Sequence, residues 1–341
     1  MMGLVKRLLG SRWLKWAVVV IAVGIGAYEI DKKWAGVHQA LGQIGLLACL
    51  WALLALLVMQ YATLRQWRAL LAGLGSPLRT TTAGRIFFIG QLGKYIPGSL
   101  WPILAQMELG ARANVPRARS ASASILTMVL SLATGLLVVA ATIPFAHYSA
   151  GYDWVFIFIP LILVCLYPRV LNPLLNLLFK LTKRPGLDRP VTLAVLGRAL
   201  AWSLLAWGAN GAQIWVLADK LGAPVGRTIP IALGGYALAW IVGFVIVFAP
   251  AGAGGRDALL IAALGPLVGH NPALAVALVS RAVNTVSDLL VAGAAAVTRR
   301  WDVDAAQGAV GATGAEGKAA EELQAEPAAG IPSASDTGTL A

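Results

Sequence analysis

Apolar residues run along this chain in long blocks separated by short polar joints. Six blocks, at 14–30, 43–64, 120–142, 153–168, 193–218 and 273–298, approach or exceed the roughly 20 residues that a helix needs to cross a bilayer. Two further apolar stretches, 86–108 and 229–268, are interrupted by helix breakers. The core of the first reads "LGKYIPGSLWPILAQMELGAR" (92–112), with two prolines, three glycines, a lysine and a glutamate in one segment. The pattern predicts an all-α polytopic membrane protein of about six spanning helices plus two re-entrant broken hairpins. A ninth stretch, "RVLNPLLNLLFKLTKR" (169–184), is too polar to span. Its leucines recur at helical spacing and its end is basic, which predicts a helix lying in the membrane interface.

Composition agrees with that reading. Hydrophobic residues make up 58% of the 341 and charged residues only 12%, about half the share of an ordinary soluble domain, for which about 25% is usual. The first block follows Lys6, Arg7, Arg12 and Lys15. The sequence "GIGA" (24–27) is a poor cleavage site, so the block is read as an uncleaved anchor. Cys49 and Cys165 lie inside apolar runs and should pack as small hydrophobes. His38, His147 and His270 fall in connecting segments without ligand spacing, so no metal site and no cofactor is expected. Residues 301–341 hold seven of the 15 acids and one base, Lys318. Rich in Ala, Gly, Glu, Ser and Thr, this stretch is expected to be a disordered cytoplasmic tail after a membrane domain at 1–300.

The excess of positive charge does not indicate nucleic acid, because of where the bases fall. With the N-terminus cytoplasmic, Arg65, Arg68, Arg79, Arg85, Arg112, Arg117, Arg119, Arg169, Lys180, Lys183, Arg184, Arg189, Arg198, Arg299 and Arg300 share the cytoplasmic side. Only Lys32, Lys33, Lys220 and Arg227 lie opposite. Both termini are then cytoplasmic. Both flanks of 86–108 are also cytoplasmic, so that segment dips in and returns, while 229–268 dips from the other face. Irregular backbone survives at membrane depth only where protein buries it or a wet cavity meets it. Pro97, Gly98 and Pro102 of the first segment, and Pro250, Gly252, Gly254 and Gly255 of the second, are therefore the expected turning points.

The two segments sit in a repeated unit, about 43–142 and 193–298. "LLAGLGSPL" (70–78) aligns on "LADKLGAPV" (217–225) at an offset of 147. "IPG" (96–98) aligns on "APA" (249–251) at 153, and at that offset 124–141 aligns on 277–294. Three spans separate the hairpins, so the second unit is inverted relative to the first. Interrupted segments at matching positions of inverted repeats point to a transport site.

Few acids need explaining in the first 300 residues. Glu108 and Asp257 stand on the return arms of the hairpins, the latter beside Arg256. Asp288 stands in the last span, two helical turns from Arg281. A charge at the centre of a spanning helix costs about 2.5–3.5 kcal/mol on insertion scales, so such groups are kept paired or along an aqueous path. Gln91, Lys94, Tyr95 and Arg112 add polar groups to the first hairpin. Lys94, Arg256 and Arg281 would make a cationic site suited to a phosphate. A purely structural alternative pairs Arg256 with Asp257 and Arg281 with Asp288.

At these residues the chain resembles a family, the flippase-like transmembrane region of lysylphosphatidylglycerol synthases and its stand-alone bacterial and archaeal homologues. The resemblance rests on "GQLGKYIPGSLWPILAQMELGAR" (90–112), "APAGAGGRDALL" (249–260) and "SRAVNTVSDLL" (280–290), in the family's order over roughly residues 10–300. It implies a plasma-membrane protein that moves a lipid, or an anionic or polyprenyl-phosphate-linked headgroup, between leaflets without hydrolysing nucleotide and without being an enzyme. Carried over by position, Glu108 and Arg112, Arg256 and Asp257, and Arg281 and Asp288 would be its polar pairs. No aminoacyl-transferase domain follows the membrane region, and Met128 and Gly135 stand at the first-half positions matching Arg281 and Asp288. A membrane-embedded transferase acting on a polyprenyl lipid, and a non-catalytic partner of an envelope-polymer synthase, are the alternative readings. A homo-oligomer is left open.

Overall fold

A computed structural model describes residues 34–95, 100–146, 167–181, 190–245 and 254–325, with residues 160 and 164 besides. The expected spans at 14–30 and, for the most part, 153–168 lie outside the described residues, as do Pro97, Gly98, Pro250 and Gly252. The helices are α1 (Trp34–Gly73), α2 (Thr80–Gln91), α3 (Trp101–Ala111), α4 (Arg117–Thr142), α5 (Pro168–Leu181), α6 (Leu193–Asp219), α7 (Val225–Pro230), α8 (Tyr236–Val245), α9 (Gly255–Val268) and α10 (His270–Ala325). The chain divides into two units, Met1–Ala296 and Val297–Ala341. In the second unit the chain is helical as far as Ala325. Its run of Ala, Glu, Lys and Gln consists largely of strong helix formers.

Among the described residues, four helical stretches are long and apolar enough to cross a membrane: His38–Gly73, Arg117–Thr142, Val225–Phe244 and His270–Val297. Three of them coincide with blocks at 43–64, 120–142 and 273–298. The fourth falls where the sequence suggested the outer arm of a hairpin. Pro230, which should break a helix by removing a donor and crowding the preceding turn, is followed by a π-helical turn, Ile231–Gly235. That wider turn absorbs the mismatch and carries the helix on into α8. The block at 193–218 does form a 27-residue helix, α6. Arg198, Asn210 and Gln213 lower its hydropathy, and it is not among the four.

α6 packs antiparallel to α1. Gly73, at the end of α1, lies against Val195 near the start of α6, and the Tyr61 and Trp202 rings meet edge to face with centroids 6.0 Å apart. Two apolar cores flank this pair. One gathers Leu64, Trp67, Leu70 and Leu71 of α1 with Phe87, Leu126 and Leu196. The other gathers Ala48, Ala52 and Leu56 with Ile214, Leu217, Tyr236, Leu260 and Val276. A buried amide ties helices within each core: Gln66 Nε2 donates to the Thr127 carbonyl at 3.5 Å, and Gln213 Nε2 to Ser280 Oγ at 2.9 Å.

Both interrupted segments fold back on themselves as tight helical hairpins. In the first, α2 and α3 are 12 and 11 residues long. At 1.5 Å per residue each is about 17–18 Å, well short of the hydrocarbon core of about 30 Å. Gly90 abuts Gln106 and Gly93 abuts the Trp101–Pro102 backbone, so the arms run antiparallel in close contact. A Cβ on Gly93 would stand 2.8 Å from the Trp101 carbonyl carbon, which cannot rotate away. Gly93→Ala is therefore expected to push the arms apart and cost about 1–3 kcal/mol, the usual range for overpacking. A lowered melting temperature in detergent checks this, with Gly42→Ala, where nothing lies within 4 Å, as the comparison. In the second hairpin, Gly235 abuts Ala263 and Gly243 abuts Arg256. Its return arm α9 has 14 residues, about 21 Å, and is again short of a full crossing.

α5 is held to the base of α6 by one side chain. The Asn172 amide donates to the Val191 carbonyl at 3.1 Å and accepts from the Val191 N–H at 2.9 Å. Leu171 enters the core, while Leu174 and Leu177 stay exposed. This two-faced helix agrees with the interfacial placement read from its leucine spacing.

Candidate functional site

The buried acid Asp288 organises a polar cluster between the two hairpins. It is only 4% exposed, on α10, and it accepts from three directions. Gln60 Nε2 of α1 donates at 2.5 Å, Tyr95 OH at 2.6 Å, and Lys94 Nζ lies at 2.7 Å. Lys94 and Tyr95 come from the 3-10 turn Leu92–Tyr95 that ends the first arm of hairpin one. A carboxylate buried this deeply requires such partners, because an isolated ion there would be strongly destabilising.

The second hairpin reaches the same helix one layer away. Arg281 Nη2 donates to Asp257 Oδ2 at 2.5 Å. Asp257 is the third residue of α9, where its carboxylate also accepts from the Gly254 N–H at 3.4 Å. Gly254 has φ +88, a conformation that side-chain-bearing residues rarely adopt. It lets the chain turn directly into α9. An acid at this position also suits the positive end of the helix dipole.

Arg256 is different. Its Nη2 donates to Tyr236 OH at 2.7 Å and its guanidinium sits over the Tyr236 ring, 4.7 Å from the centroid. Its Nε is buried without an acceptor, and no carboxylate pairs with it among the described residues. Asn284 and Thr285 of α10 line the same side, beside Tyr236 and Tyr95 respectively. The cluster thus contains three cations, Lys94, Arg256 and Arg281, and two anions, Asp257 and Asp288. The surplus positive charge is on Arg256.

Several expectations change here. The pairs Arg256–Asp257 and Arg281–Asp288 do not form. Arg281 and Asp288 share a face of α10, but each is taken by a different hairpin that packs against it. Glu108 does not join the cluster. It pairs with Arg117 Nη2 across the α3–α4 turn at 2.9 Å, with 53% of its side chain exposed, and Arg117 holds its carboxyl below the usual glutamate range. Arg112 caps the same turn, exposed, and adds its charge to that carboxyl's surroundings. Glu108 and Arg112 therefore belong to a solvent-facing corner. Gln91 closes α2, half-buried, and Pro102 occupies the first turn of α3. Gln60 and Tyr236 were not picked out from the sequence. Gln60 did leave a signal, as an amide well inside the apolar block 43–64, toward its C-terminal end.

These hairpins, their breakers and the charged last helix also place the chain among known sequences. No curated protein matches it. The sequence pattern of the lysylphosphatidylglycerol synthase TM region, however, matches residues 12–292. That stretch includes both hairpins and the Arg281–Asp288 segment, and the chain belongs to this membrane-protein family.

Proposed function

We propose that this protein moves a lipid, or a lipid-linked headgroup bearing phosphate, between the leaflets of a bacterial or archaeal plasma membrane, without hydrolysing nucleotide. The observation that carries the reading is Arg256. Among the described residues it is a cation without a carboxylate, with a buried N–H lacking an acceptor, in a site built jointly by two hairpins. A guanidinium fork matches phosphate oxygens bidentately, and the first N–H groups of α9 stand beside it to receive an anion. The ion pairs Lys94–Asp288 and Arg281–Asp257 hold both hairpins to α10. An anionic headgroup competing for Lys94 or Arg281 would loosen one hairpin at a time, while the tails stay in lipid.

An inverted repeat supports alternate exposure of that site. The offsets of 147 and 153 relate Gln66 to Gln213 and Thr127 to Ser280, and Gln66 bonds Thr127 as Gln213 bonds Ser280. The same offsets exchange Gln60–Asp288 with Trp207–Gly135, and the Trp207 ring does lie against Gly135. Gly90 and Gly243, each pressed against its return arm, are also 153 apart. The equivalent helices α1 and α6 pack antiparallel, as a two-fold axis in the membrane plane requires. One of the two related sites is charged and its counterpart is apolar. We place both termini in the cytoplasm, and membrane lipids as the partners.

Reconstitution in liposomes tests the function. Fluorescent anionic, zwitterionic and polyprenyl-phosphate lipids are offered, and the expected result is headgroup translocation above empty liposomes for at least one phosphate-bearing lipid. Equal rates with and without protein for every class would overturn the proposal. Cysteines placed near Arg85 and Arg117 should be labelled from one side of the membrane. Labelling from opposite sides would rule out the re-entrant path and the inverted repeat together.

A further inference from the structure

A second cation stands apart from the hairpin site, on the α1–α6 face. Arg65 lies 4.8 Å from the Trp202 ring centroid and 5.5 Å from that of Tyr61, and its Nη1 donates to Tyr61 OH at 2.5 Å. The two rings meet edge to face and hold the guanidinium from two helices. Among the described residues no carboxylate balances it. Each acid described between residues 34 and 296 has a partner elsewhere: Glu108 with Arg117, Asp219 with Lys220, Asp257 with Arg281 and Asp288 with Lys94. Aromatic faces attract a guanidinium through their quadrupoles but leave its charge unneutralised. Of its five N–H donors, Tyr61 takes one.

The surface next to Arg65 indicates what completes it. On the N-terminal side, α1 exposes Leu46, Leu50, Leu54 and Val58, then Tyr61, which is 44% exposed. From Leu46 to Tyr61 this is an apolar strip about 22 Å long, the scale of one leaflet's chains with room to spare. An apolar strip ending at an aromatic-held guanidinium has the polarity profile of an anionic glycerophospholipid. Gln60 faces Asp288 while its neighbour Tyr61 faces outward, so this face of α1 is separate from the hairpin cluster.

We infer that Arg65, Tyr61 and Trp202 form a binding site for the phosphate of an anionic phospholipid whose chains lie along the exposed face of α1. The site retains a lipid whether or not the hairpins translocate one, so its test needs no transport. The full-length protein is taken from nanodiscs of equal phosphatidylglycerol and phosphatidylcholine into native mass spectrometry. One phosphatidylglycerol is expected to survive on the wild type. Arg65→Met should lower that population about ten-fold, the effect of losing one charge-assisted contact. Arg65→Lys should fall between them, because it keeps the charge and loses the fork. Equal retention by wild type and Arg65→Met, or equal retention of phosphatidylcholine, would overturn the inference. A photoactivatable phosphatidylglycerol on the unmodified protein provides the second measurement, independent of how the variants fold. Adducts on 58–68 or 198–205 support the site, and adducts that miss both stretches refute it.

Discussion

Asp288→Ala is expected to destabilise the protein by about 3–5 kcal/mol, the usual consequence of breaking a buried ion pair from one side. The change removes the acceptor of three donors at once: the Gln60 amide, the Tyr95 hydroxyl and the Lys94 ammonium. Gln60 is itself buried and has no water to turn to. Asp288→Asn should be nearly as costly, because it places an amide N–H₂ among groups that all donate. Lys94→Met should cost less. Lys94 is about one-third exposed, and the acid it leaves keeps Gln60 and Tyr95 as donors. The double variant Lys94→Met with Asp288→Leu should recover much of the loss, since an apolar replacement of a whole buried pair is often close to neutral. Unfolding of the wild type, Lys94→Met, Asp288→Leu and the double variant in one detergent completes the cycle, with a coupling of at least about 1 kcal/mol expected. Additive losses would show that Lys94 and Asp288 do not depend on each other in the folded protein.

How much of this was legible in the sequence varied by feature, for physical reasons. The hairpins were, because proline and glycine inside an apolar block conflict with a through-going helix and require a turn. Gly93 and Gly243 carry that logic to the contact surface, where the opposite arm leaves no space for a Cβ. The second hairpin was read only in part. The pattern puts 229–268 wholly in a dipping segment, yet the π turn after Pro230 lets Val225–Phe244 reach full crossing length. Backbone widening of that kind depends on neighbours such as Leu233 packing on Gly211, which no local pattern records. For the cluster, the charged members stood out as ions inside apolar helices. Their pairing did not. Spacing on α10 places Arg281 and Asp288 on one face, but which partner each takes depends on which hairpin packs there. Tyr236 carries no such signature, since an aromatic residue in an apolar run reads as packing. The proposed repeat is faint in residue identities, and its support is a pair of contacts: Gln66 and Gln213 each donate a hydrogen bond from matching positions.

Arg256→Ala should lower the translocation rate of a phosphate-bearing lipid by roughly ten- to a hundred-fold, if the proposed function holds. The magnitude follows from one charge-assisted contact of about 1.5–3 kcal/mol at roughly 1.4 kcal/mol per factor of ten. The fold should tolerate the change better than the loss of Asp288. No acid is left unpaired, and Tyr236 loses only one hydrogen bond and a ring contact. A melting temperature near that of wild type alongside a collapsed rate is therefore the expected combination. Arg256→Lys keeps the charge but cannot donate from two positions in a plane, and should recover only part of the rate. Tyr236→Phe keeps the ring under the guanidinium and removes the hydroxyl that orients it, so it should slow translocation less than Arg256→Ala does. Raising ionic strength should weaken the wild type toward the Arg256→Ala level, because a partly exposed cationic site is screened over a Debye length of about 8–10 Å. If Arg256→Ala translocates at the wild-type rate while remaining folded, the surplus cation does not touch the cargo. The reading would then have to rest on Lys94 and Arg281, both of which are already paired in this structure.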